Sequence, residues 1–301
     1  MKHVPVLLNE VVENLNLRLG SKIIDCTLGD AGHSEKILNK IIPKGKLLGI
    51  DADPEAILRA KQYLYDFFDN VILVRDNFEN LKKVVEENDF QPVDGILMDL
   101  GWSTPQFADR GRGFSFQNKA ESLDMRYSEK VISTAADILS NRTQNELAKI
   151  FKDYGEEKFN REIAEEIFKV RKTNDFKTVG DLVEVILQVY RKKLKTDKDI
   201  PWIGGLHPAT KVFQALRIEV NDELGALKRV LPQAVEVLAP GGRLVVITFH
   251  SLEDRIVKHY FKEFNNKTLK IINKKPIVCS PEEAKNNPPS RSAKLRVIEK
   301  I

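Results

Sequence analysis

Cysteine is scarce in this sequence: Cys26 and Cys279 stand far apart, at no disulfide or metal-ligand spacing. That excludes a cystine-stapled fold and a thiolate metal cluster, and it fits a reducing, cytoplasmic compartment. Histidine is scarce too, with five residues and no HxxxH pair, so no metal is expected. Long apolar runs are missing. Glu10 and Glu13 break the N-terminal run well before signal-peptide length, so neither a leader nor a membrane span is expected. A GxGxxG fingerprint is also missing, which counts against a dinucleotide. What remains is 301 residues with 42% hydrophobic and 31% charged side chains, enough for a sizeable core in a globular protein. The net charge of +4 is unevenly spread. Residues 265–301 carry nine Lys or Arg against three acids, a basic tail on a near-neutral body that suits a polyanionic partner.

The hydrophobic pattern divides the chain. Short apolar runs at Lys22–Leu28, Lys46–Ile50, Val71–Val74 and Val93–Leu100 alternate with helical patterns. Asp53-Pro54 opens one of these helices, with Asp53 as its cap. The alternation predicts a parallel sheet covered on both faces. From about Phe107 to Leu206 only helical periodicity appears, at Asn145–Lys152, Lys158–Lys172 and Val179–Lys193. Ala209–Leu238 reads as helices stopped by Ala239-Pro240-Gly241-Gly242, followed by strands at Arg243–Phe249, Thr268–Ile272 and Leu295–Ile298. The fold expected is α/β, a doubly wound, Rossmann-like sheet formed by 1–107 and 207–301, with a small helical domain inserted at 108–206.

Ligands of doubly wound sheets bind at the carboxyl ends of the strands. The first such end reads DCTLGDAGH, where Gly29, Ala31 and Gly32 permit a sharp turn and close backbone approach. Asp51 ends the second strand, where a carboxylate can accept hydrogen bonds from both ribose hydroxyls. Phe78 lies just beyond the third strand, placed to cover an adenine, and Asp99 ends the fourth. An adenosine without a pyrophosphate favours S-adenosyl-L-methionine over NAD.

Together these residues and their surroundings resemble the RsmH (MraW) family, the bacterial 16S rRNA cytosine-N4 methyltransferases. The resemblance runs end to end through HVPVLLNEVV, TLGDAGHS, GIDADP, DGILMDLG with Ser103-Thr104-Pro105-Gln106, RGFSF, LDMR, YGEE, HPATKVFQALRIEVNDEL, APGGRL, FHSLEDRIVK and RSAKLR. It implies a class I methyltransferase sheet with an inserted substrate-recognition domain, and a cofactor site at Ala31, Gly32, His33, Asp51, Phe78, Asp99 and Gln106. Ala31 stands where the family usually has glycine, and Trp102 where it usually has a small aliphatic residue.

The cytosine N4 amine is a poor nucleophile, so an acceptor for its proton is needed. Asp99 is the first candidate, the alternative being that it binds only the methionine amino group; Ser103 could orient the amine instead. A flipped-out base needs a stacking surface. Trp102, Phe107, Phe114 and Phe116 lie beside Arg110 and Arg112, although core packing is the competing role for each phenylalanine. Arg217 and Asn221 are further candidates to face the RNA, and Ser251 or Asp254 is expected to cap the helix after the fifth strand. Two other classes stay in view: an NAD-dependent oxidoreductase and a non-catalytic adenosine-binding RNA module. The RNA partner is either 16S rRNA or the assembled 30S subunit, and a homodimer stays open.

Overall fold

The computed structural model describes residues 4–101, 111–196 and 206–301. The chain forms two compact units, Met1–Ser103 with Leu224–Ile301, and Thr104–Glu223.

The first unit is built on seven strands: β1 (Lys22–Asp25), β2 (Lys46–Asp51), β3 (Val71–Arg75), β4 (Val93–Asp99), β5 (Leu238–Thr248), β6 (Leu269–Ile271) and β7 (Lys294–Lys300). Their order in the sheet is β3-β2-β1-β4-β5-β7-β6. Neighbouring pairs among the first five strands run parallel, and β7 is antiparallel to both β5 and β6. Side chains on a strand alternate between faces, and the core follows that parity. Ile24, Ile96, Met98, Leu244, Val246 and Ile298 enter one apolar layer, with α4 (Leu81–Glu87) and α10 (Glu223–Val237). Ile23, Leu97, Val245, Ile247, Leu295 and Val297 enter the other, under α1 (Leu8–Asn14), α2 (Gly32–Ile41) and α3 (Pro54–Tyr63). A sheet buried on both faces explains why its strands read as unbroken apolar runs.

Two expectations about this unit need correction. The Ala239–Gly242 stretch lies within β5, not before it. Leu238 already pairs with Val93, and the register slips before Gly95 pairs with Arg243, so the turn-forming residues occupy a bulge. The basic C-terminal segment is no tail, because β7 is an interior strand. Arg296 holds Asp254 with two hydrogen bonds of 2.6 and 3.1 Å, and Lys300 Nζ donates to the carbonyls of Glu236 and Leu238.

In the second unit the expected helices appear as α6 (Gln144–Asp153), α7 (Asn160–Val170) and α8 (Val179–Leu194), joined by α5 (Ala135–Asn141) and α9 (Thr210–Asn221). Threonine capping boxes start α5, α6 and α8, through Thr134/Asp137, Thr143/Glu146 and Thr178/Asp181. Helix α9 packs on α5 and α6. Residues 207–223 therefore belong to this unit, whereas sequence reading put the return to the sheet domain at 207. Inside it, Tyr190 Oη donates to buried Glu157 at 3.0 Å.

Candidate active site

The loop between β1 and α2 gathers the glycine-rich residues. Ala31 has φ 61, a left-handed conformation that costs an alanine about 1 kcal/mol, and its side chain is wholly buried. Gly32 is required by contact: a Cβ there would stand 2.4 Å from Pro5 Cγ. Asp51, at the end of β2, accepts the Gly29 N–H on Oδ2 and the Asp53 N–H on Oδ1, both at 2.9 Å. Each oxygen keeps a lone pair for a further donor. Burial, partly offset by these two amides, pushes the Asp51 carboxyl up to about 6. Asp53 itself caps α3, as its position before Pro54 predicts, accepting from Glu55 and Ala56. Phe78 opens a 3₁₀ turn, Phe78–Asn80, beyond β3 and is partly buried against the core.

Next to this loop lies a buried acidic centre. Asp25, at the end of β1, accepts the Ser34 hydroxyl at 2.7 Å and the Thr27 N–H at 3.1 Å. The Thr27 hydroxyl oxygen accepts the Asp99 N–H at 2.7 Å, tying the ends of β1 and β4 together. His33 Nε2 lies 3.0 Å from the Val6 carbonyl, and its Nδ1 faces Asp99 Oδ2 at 3.7 Å. Asp99 Oδ1 is buried without a hydrogen-bond partner. Burial, reinforced by the charges of Asp25 and Glu253, lifts the Asp99 carboxyl well above the usual carboxylate range. Gly29, Ala31, Gly32, His33, Asp51 and Asp99 thus meet at the carboxyl ends of β1, β2 and β4.

Beyond β5, α11 (Ser251–Phe264) starts from a cap that sequence reading assigned to Ser251 or Asp254. The cap is His250, whose Nδ1 accepts the Glu253 N–H at 3.4 Å, while Glu253 Oε2 accepts the N–H groups of Phe249 and His250. Histidine at a cap position is easily missed, because the oxygen-bearing residues dominate there. Asp254 is instead the partner of Arg296. Asp25 was also missed; it reads as the last residue of an apolar strand, and only the fold reveals its buried hydroxyl contact.

The remaining candidates divide. Trp102, Ser103, Gln106, Phe107 and Arg110 lie outside the described residues. In the second unit, Phe114 is buried and stacks on Tyr127 with centroids 5.5 Å apart, and Phe116 stacks on His207 at 4.4 Å. These contacts match the core-packing alternative. Arg112 donates to the Arg126 carbonyl at 3.2 Å. Arg217 grips Glu223 through two bonds of 2.7 and 2.9 Å. Asn221 bonds the carbonyls of Met125 and Arg217 and accepts the Tyr127 N–H. Asn221 thus braces residues 125–127 from within the unit, while Arg217 is paired with Glu223.

A doubly wound sheet in this strand order, with an acid at the end of β2 and a glycine turn after β1, defines a Rossmann-like class I methyltransferase fold. The whole chain, residues 1–301, matches the model of the MraW methylase family, and the chain belongs to that family. Among its relatives, ribosomal RNA small subunit methyltransferase H of Dictyoglomus thermophilum is 46% identical over 298 residues, covering 99% of this chain and 96% of that protein. The protein of the same name from Clostridioides difficile is 43% identical over 315 residues, covering 99% of each.

Proposed function

We propose that this protein methylates the N4 amine of a cytidine in small-subunit (16S) ribosomal RNA, acting on a base flipped out of its stack. The methyl donor is S-adenosyl-L-methionine, which when bound supplies an electrophilic methyl group on a sulfonium. The observation that carries the reading is the buried, unpartnered Oδ1 of Asp99 at the carboxyl end of β4, beside the nucleotide loop. The relatives' shared name supports the RNA substrate, and such a substrate places the reaction in the cytoplasm.

The donor fits the residues present. Asp51 offers two oxygens already fixed by backbone amides, so binding two ribose hydroxyls needs no rearrangement of the loop. Gly32 and Gly29 keep the backbone bare there. Asp99 then holds the proton of the reaction: its Oδ1 would accept the excess proton that the target amine sheds once methylated. Burial beside Asp25 and Glu253 raises the affinity of this carboxylate for a proton, which suits it to accept one. The second unit is proposed to contribute RNA recognition, together with Trp102, Ser103, Gln106 and Arg110.

The test is transfer of labelled methyl groups to small subunits lacking their native modification, with mass mapping of the product nucleoside. N4-methylated cytidine in the 16S RNA is expected. Label on a ring carbon, on ribose or on no RNA at all refutes the proposal.

A further inference from the structure

Residues 4–7, within the HVPVLLNEVV motif, lead into α1 and pack directly on the loop between β1 and α2. The Pro5 ring fills the space beside Gly32, where a Cβ would stand 2.4 Å from Pro5 Cγ. The Val6 carbonyl lies 3.0 Å from His33 Nε2; a carbonyl only accepts, so the ring donates. The Val6 and Leu7 side chains are buried in the same apolar layer as Ala31. Leu7 takes φ 53, a left-handed conformation uncommon for a bulky side chain. A segment so shaped needs a fastening.

The fastening comes from the far end of the chain. The Leu7 N–H donates to Glu283 Oε1 at 2.8 Å, and Asn287 Nδ2 donates to the Val4 carbonyl at 3.2 Å. Glu283 lies on α12 (Pro281–Asn286), and Asn287 follows that helix directly. This stretch is itself tied to the sheet: Ile277 and Leu295, in β7, exchange backbone hydrogen bonds of 3.0 and 2.8 Å, and Ala293 is buried. The loop after β1 is thus held at two points. Asp51 takes the Gly29 N–H, and residues 4–7 take Gly32 and His33. Between those points sits Ala31, left-handed at φ 61, a shape the loop would relax if one end were released.

Building on the donor site proposed above, we infer that residues 4–7 are a strap holding that loop in its binding shape, and that Glu283 and Asn287 are the positioning residues that fasten it. Neither needs to touch the methyl donor. A loop already shaped for its ligand loses no affinity to ordering, so the strap acts on binding and leaves the methyl-transfer step alone. Linkage makes the effect reciprocal: a ligand that stabilises the loop stabilises the strap by the same factor.

The test is Glu283→Ala against Glu283→Gln in the full-length protein. Alanine leaves the N–H of buried Leu7 without its acceptor, whereas glutamine keeps an oxygen for it. Glu283→Ala is expected to weaken S-adenosylhomocysteine binding at least about fivefold in calorimetry, and to speed amide exchange of residues 29–34 in the ligand-free protein. Its methyl-transfer rate at saturating S-adenosyl-L-methionine is expected to match the wild type, and Glu283→Gln is expected to restore most of the affinity. Unchanged affinity with a lowered Tm, the mark of a merely structural contact, overturns the inference. So does unchanged exchange in the loop, a glutamine variant as weak as the alanine one, or a rate loss at saturating donor. Should Glu283→Ala fail to fold, the wild type decides: S-adenosylhomocysteine is expected to slow exchange at residues 4–11, and unchanged exchange there overturns the inference. If the wild type binds no S-adenosylhomocysteine, it is the donor site proposed above that fails.

Discussion

Replacing Asp51 with asparagine bears on the proposed nucleotide site most sharply. Both carboxylate oxygens accept backbone N–H groups, from Gly29 and Asp53. An asparagine can offer an oxygen to only one of them and must turn its own NH₂ toward the other. The variant therefore loses a charged acceptor for ribose, where each such bond contributes about 1.5–3 kcal/mol, and also strains the loop. Two ribose bonds imply a Kd for S-adenosylhomocysteine weakened by at least about a hundredfold. The pH dependence adds a second, independent signature. With its carboxyl at about 6, Asp51 is mostly ionised at pH 7 and mostly protonated at pH 5. If ribose binds the ionised form, wild-type affinity falls about tenfold between those values, and the variant's dependence is flat across that range. The sign for folding is opposite. The folded carboxyl binds its proton more tightly than the unfolded one, so Asp51 costs the ligand-free protein stability above about pH 6 and less as pH falls toward the unfolded value. Calorimetric titration at several pH values measures both effects. A variant that binds as tightly as the wild type, or a wild type with flat affinity from pH 7 to 5, refutes the reasoning.

Three further predictions follow from individual contacts. Asp99→Asn should lower single-turnover methyl transfer by about 10²–10⁴-fold; it should also abolish the wild-type rise in rate with pH that ionisation of this elevated carboxyl produces. Rapid-quench rates across pH check both. Gly32→Ala drives a Cβ into Pro5 and should cost about 1–3 kcal/mol, seen as a lower Tm; an unchanged Tm contradicts the packing described. Tyr190→Phe strips a hydroxyl from the buried Glu157 carboxylate and should cost about 1.5–3 kcal/mol in urea denaturation, whereas a loss within error would show that Glu157 is satisfied without it.

Much of the first unit is legible in the sequence because its strands are buried on both faces. Runs such as Ile23-Ile24 and Ile96-Leu97-Met98 feed both apolar layers and stand out from the amphipathic helices between them. The strand-end positions of Asp51 and Asp99 are legible for a related reason, each being an acid that abruptly ends such a run. What stayed hidden depends on long-range pairing. The bulge that draws Leu238 into β5 is fixed by Val93, far away in sequence, and overrides a proline-glycine signal. The basic residues of β7 look like a solvated tail until Asp254, on α11, is brought to Arg296. Asn221 and Arg217 look like free polar residues on a helix, yet Asn221 bonds Met125 and Tyr127 and Arg217 bonds Glu223. The His250 cap was obscured by the more usual capping residues that follow it.

Asp51 is proposed to hold the sugar of the methyl donor while Asp99 faces the reacting nitrogen. A crystal structure of the protein with S-adenosylhomocysteine tests it most directly. The prediction is that both ribose hydroxyls bond the two Asp51 oxygens and that the thioether sulfur lies toward Asp99 at the end of β4. A ribose bound elsewhere, with Asp51 holding only its two backbone amides, would overturn both assignments.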